Sequence, residues 1–67
     1  MIRILAIHFN TYTIILDDED HINFFKKAVY GGDKYVTVKD QFNDYVTIFI
    51  DNILFCRDEI IKEENND

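Results

Sequence analysis

Apolar residues in this chain recur at strand spacing on both sides of the same segments. Tyr45, Thr47 and Phe49 fall on one face of a segment whose other face carries Val46, Ile48 and Ile50. Near the start of the chain, Ile2, Ile4 and Ala6 alternate with Leu5, Ile7 and Phe9 in the same way. Side chains alternate across a strand, so both faces of these strands are apolar or aromatic. One helix can cover only one face of a small sheet. The second face therefore implies a partner, most simply another copy of the chain.

The pattern predicts the order β-β-α-β-β-β. Ile2 to Phe9 reads as a strand, followed by a tight turn at Asn10-Thr11 and a second strand from Tyr12 to Leu16. Asp17 or Asp18 is a natural helix N-cap, and the acids that follow suit the positive end of a helix. The helix runs to about Tyr30. Its apolar side is expected to carry Ile22, Phe24, Phe25, Ala28 and Val29, with Glu19, Asn23, Lys26 and Lys27 opposite. Gly31-Gly32 stops it, Gly31 taking the left-handed position. Strands follow at Lys34 to Lys39 and Tyr45 to Ile50, joined by a loop at Asp40 to Asp44. A two-residue turn at Asp51-Asn52 then leads into a short strand, Ile53 to Cys56. Arg57 to Asp67 is charged and Asn-rich, and one helical turn followed by fraying is expected there.

Hairpins on either side of one helix predict an α+β fold, a mainly antiparallel sheet with the helix packed on one face. Residues 1–57 make the single small domain and residues 58–67 an acidic, partly disordered tail. The helix is expected over Val36, Val38, Val46, Ile48 and Ile50. Tyr35, Thr37, Tyr45, Thr47 and Phe49 then look outward. Aromatic and threonine side chains on an open sheet face stabilise the sheet and also suit a protein interface. This outward set is the expected binding face, and Phe49→Asp is expected to disrupt self-assembly.

Size sharpens the case for association. A chain of 67 residues forms one small domain whose core rarely supplies more than about 3–5 kcal/mol. Small domains usually add disulfides, a metal or oligomerisation. Cys56 is the only cysteine, so no disulfide forms within the chain. One Cys with His8 and His21 far apart in sequence does not make a common zinc site. Oligomerisation is what remains. No apolar run reaches membrane-spanning length, and no export signal is evident, which with the lone thiol predicts a cytoplasmic protein. The net charge of −6, with no basic patch, disfavours nucleic acid and anionic membrane as direct partners.

Candidate chemistry is sparse. The acidic patch Asp17, Asp18, Glu19 and Asp20 has oxygen ligands for a hard cation but no EF-hand spacing, and fits a solvated helix start. The chain contains no serine, and Cys56, in a strand with Leu54 and Phe55 beside it, reads as a small buried hydrophobe. No residue is assigned a catalytic role, no metal ligand is assigned and no cofactor is expected. Gly31-Gly32 follows a helix instead of preceding one, unlike a phosphate loop. The acidity could imitate DNA only if its carboxylates were spaced like duplex charge, roughly one per 1.7 Å of axis.

The segment Tyr45–Glu59, with its Asp51-Asn52-Ile53 turn between apolar strands and the acidic residues after it, resembles small proteins of bacteriophages and prophages of AT-rich Gram-positive bacteria. The resemblance also rests on length and on the Ile, Asn, Lys and Asp bias, and it carries over no functional residue. It implies a protein in the host cytoplasm that binds and blocks a host protein, an antiviral defence enzyme among them, or that sequesters a signalling nucleotide. Three readings follow: a non-enzymatic homo-oligomeric inhibitor of a host protein; a sponge that holds a nucleotide between subunits; and a structural or regulatory subunit of a larger assembly. In the sponge, Tyr35, Tyr45 and Phe49 would stack the base, and Lys34, Lys39 and Arg57 would meet phosphates.

Overall fold

The computed structural model describes residues 2–61. The elements are β1 (Ile2–His8), β2 (Thr13–Leu16), α1 (Glu19–Tyr30), β3 (Tyr35–Lys39), β4 (Tyr45–Phe49), a single 3-10 turn over Ile50–Asn52, and β5 (Phe55–Ile61). This is the expected α+β order, with every strand pair antiparallel and the helix packed on the sheet. The strands divide into a three-stranded sheet, β2-β1-β5, and a two-stranded sheet, β3-β4. A main-chain bond from Gln41 N–H to the Ile15 carbonyl, 2.8 Å, ties the two together.

The core lies where the inner faces of both sheets meet the helix. Leu5, Ile7 and Leu16 come from the first two strands and Phe9 from just beyond β1, Ile22, Phe25 and Ala28 from α1, and Val36, Val38 and Ile48 from β3 and β4. Val46, Ile50, Ile14 and Ile53 pack around them. The period-2 reading of β3 and β4 thus gave the correct inner face. The period-3.6 reading of α1 was too wide. Only Ile22, Phe25 and Ala28 are buried, while Phe24 and Val29 sit on the flanks in solvent.

Local chemistry explains the helix boundaries. Asp18 is the N-cap, and its carboxylate accepts from Asp20 N–H at 3.2 Å. At the other end Asp33 N–H donates to the Ala28 carbonyl and Gly32 N–H to the Val29 carbonyl, a Schellman closure. The left-handed residue is Gly32, φ +78°, and not Gly31, which keeps helical geometry at φ −78°. The β3–β4 loop is pinned by Asp40, whose carboxylate accepts from Phe42 and Asp44 N–H, and it uses a positive φ at Asn43.

The segment after β4 departs from expectation. Asp51-Asn52 does not close a hairpin. Ile50 and Ile53, three residues apart, turn to the same side of the 3-10 turn and pack on the core. That redirects the chain to β1, where Leu54 N–H meets the His8 carbonyl at 2.8 Å. The last strand then runs beside β1 from Phe55↔His8 to Ile61↔Ile2. Asp58–Ile61, assigned from sequence to a tail, and Arg57–Ile61, expected as a helical turn, are therefore strand. Residues 62–67 of the proposed tail lie outside the described residues.

Candidate functional site

The β3-β4 ladder places Tyr35 opposite Phe49, Thr37 opposite Thr47 and Lys39 opposite Tyr45. Directly opposed residues share a face, so the five residues singled out from the sequence lie together on the side away from the core. Tyr35, Tyr45 and Phe49 are 61%, 68% and 56% exposed, respectively. They are held in order by the sheet: Thr37 and Thr47 share a hydroxyl hydrogen bond of 2.8 Å across the ladder. Tyr35 and Phe49 rings lie 6.1 Å apart at 52°, tilted and not parallel.

The helix borders this face and extends it. His21 Nδ1 accepts from Lys39 N–H at 3.2 Å, which fixes the imidazole against β3, and its Nε2 points toward Asp18 at 3.8 Å. The His21 ring meets Tyr45 edge-on at 6.0 Å. Exposed Phe24 flanks a shallow depression of about 260 Å³ shared with Asp20, His21 and Thr37. His21 and Phe24 were not assigned to the face from sequence. Their spacing of three, on the flank of the helix instead of its buried centre, is the signal that points to them.

Of the remaining candidates, Asp18, Glu19 and His8 have structural partners. In the acidic patch, Asp18 caps the helix, Glu19 and Asp20 occupy its first turn, Glu19 lies 3.5 Å from Arg3, and Asp17 is exposed. Among the described residues no group of three or more His, Cys, Asp or Glu side chains is arranged to hold a metal ion. His8 shares a hydrogen bond with the Thr13 hydroxyl at 3.0 Å and stacks on Phe55 at 4.3 Å.

Cys56 is exposed, contrary to the expectation of a buried hydrophobe, because β5 is the outermost strand of its sheet and not an inner one. It borders a groove of about 280 Å³ between α1 and β5, with Leu5, Phe25, Val29, Ile53 and Asp58 among its walls. Partial burial, and secondly the Asp58 carboxylate, push its thiol up from the ordinary value, against an opposing pull from Lys26. Asp58 is itself held by Lys26, with both oxygens at 2.9 Å, and approached by Arg3 at 3.7 Å. No helix among the described residues is long and apolar enough to cross a membrane.

A second exposed surface does not follow from the sequence reading, which ends the last strand at Cys56 and gives Arg57 onward to a helical turn and tail. On β5, Phe55, Arg57, Glu59 and Ile61 face away from the helix, and every residue of the strand is exposed. Residues 55–61, Phe-Cys-Arg-Asp-Glu-Ile-Ile, show no alternation of apolar and polar positions, so periodicity gives no strand signal there. No protein-family model, curated protein or solved structure matches the chain.

Proposed function

We propose that this is a non-enzymatic, homo-oligomeric binding protein of the phage-inhibitor type, which blocks a host protein, such as an antiviral defence enzyme, by docking through the β3-β4 face in the host cytoplasm. The observation that carries the reading is the exposed set of Tyr35, Thr37, Tyr45, Thr47 and Phe49 on one two-stranded ladder. Tyr and Phe give large contact area at low cost in side-chain entropy, which suits an interface core. The ladder and the Thr37–Thr47 bond preorder them, so little ordering remains to be done on binding. The chain's net charge of −6 favours a partner with a basic docking surface.

Nothing in this reading needs catalysis. Of the histidines and the cysteine, His21 is on α1 beside β3, away from the other two; His8 and Cys56 are on paired strands of the other sheet but at successive register positions, so their side chains point to opposite faces. Affinity capture from host lysate with immobilised protein, run in parallel with Phe49→Asp and Tyr45→Asp variants, tests the proposal. The expected outcome is a partner retained by the wild type and released by both variants. A partner retained equally by all three would place docking elsewhere.

A further inference from the structure

We propose that the free edge of β5 is the self-association site, and that it takes the β5 of a second copy in antiparallel register centred on Asp58. This deepens the reading above, resting on it only for the premise that the protein self-associates. It leaves the β3-β4 face open for the partner.

Strand β5 has one neighbour, β1, and its seven residues are exposed throughout. A strand bonded on one side presents unpaired N–H and C=O groups along the other, a template for another strand. Its outward side chains read apolar, cationic, anionic, apolar: Phe55, Arg57, Glu59, Ile61. A twofold axis through Asp58 places Arg57 opposite Glu59 of the second copy, Glu59 opposite its Arg57, and each Phe55 opposite an Ile61. Among the described residues neither Arg57 nor Glu59 belongs to an ion pair. Their β1 neighbours offer no opposite charge, since Arg57 faces Ala6 and Glu59 faces Ile4. Opposite charges across a ladder favour pairing and like charges oppose it.

The alternatives fail on the same rule. A slip of one residue would set inward side chains against outward ones. Centring on Arg57 or on Glu59 sets like charges face to face. Centring on Cys56 or on Ile60 loses both ion pairs and shortens the overlap. In the Asp58-centred register the two Asp58 carboxylates oppose each other, but each already has its own Lys26 at 2.9 Å and Arg3 at 3.7 Å. Strand β4 also has a single strand neighbour, yet Tyr45–Phe49 carries no charge that would select a register. Charged residues on edge strands ordinarily discourage indiscriminate pairing. Here their order rewards one arrangement, which closes as a dimer because each copy has a single β5.

Sedimentation velocity on the full chain tests this. The wild type is expected to sediment as a dimer. Arg57→Glu alone, or Glu59→Arg alone, puts like charges opposite each other at both positions and is expected to weaken the dimer about tenfold or more. Mixing the two single variants restores both pairs between unlike chains, so a mixed dimer is expected. The double variant R57E/E59R is expected to dimerise with itself. Recovery on mixing also shows that each variant is folded. A wild type that stays monomeric at high concentration overturns the proposal, as do single variants as dimeric as the wild type. If only Phe49→Asp dissolves the dimer, self-association belongs to the β3-β4 face instead. The loss of partner capture by Phe49→Asp is read separately, so either proposal fails without the other.

Discussion

Phe24 and Phe25 are consecutive on α1, and the turn of the helix sends one to solvent and the other into the core. Phe25 is sealed among Leu5, Leu16 and the inner faces of the strands, while Phe24 is 55% exposed. Phe25→Ala is expected to cost about 3–5 kcal/mol. For a domain of this size that is most of its stability, so urea unfolding should find the variant largely unfolded without denaturant. Phe24→Ala should stay within about 0.5 kcal/mol of the wild type in the same measurement. Cys56 gives a second residue-scale outcome. Its thiol is raised by partial burial and by Asp58, so alkylation by iodoacetamide should need a higher pH than in the unfolded chain. Asp58→Asn removes one of the raising influences and should move the profile back toward ordinary thiols. The sign for stability follows. The fold favours the neutral thiol, so this contribution is intact below the unfolded thiol's pKa and is lost as pH rises through the folded value. These residues also show where sequence reading reaches its limit. A helix's hydrophobic side is legible to within about one residue on each flank, and tertiary packing decides which flank is covered.

At the scale of elements, α1 and the β3-β4 pair were legible because their signals are local. A cap, a stop and a clean period each act within a few residues. Asp18→Ala removes the carboxylate that accepts from Asp20 N–H and is expected to cost about 0.5–2 kcal/mol by thermal or urea unfolding. Gly32→Ala is expected to cost about 1 kcal/mol, since φ +78° is strained for a residue with a Cβ even though the space there is open. An equally stable Gly32→Ala would contradict the Schellman closure described for this helix end. The partner of β5 was not legible. Asp51-Asn52 is a reasonable hairpin turn by composition, and it lost to the burial of Ile50 and Ile53, a non-local preference. With that turn misassigned, β5 was cut short and its charged half was taken for a tail. The placement of Tyr35, Thr37, Tyr45, Thr47 and Phe49 on one face is independent of that error because it needs only β3 and β4.

At the scale of the whole molecule, one small core is shared by two sheets that neither separately could bury. Ile2, Phe55 and Ile61 remain exposed on the far side of the three-stranded sheet, and Tyr35, Tyr45 and Phe49 on the far side of the other. Association at β5 should therefore appear as stability that depends on concentration. The thermal midpoint is expected to rise with protein concentration in the wild type and to stay flat in Arg57→Glu, as mass action requires. A flat wild-type midpoint would argue that folding and assembly are independent. The two sheets themselves are joined through Gln41 N–H and the Ile15 carbonyl, at the mouth of a loop and not inside a ladder. That proton is consequently a gauge of how firmly the halves of the molecule hold together: its exchange with deuterated solvent reports their parting, even while each ladder keeps its own amides protected.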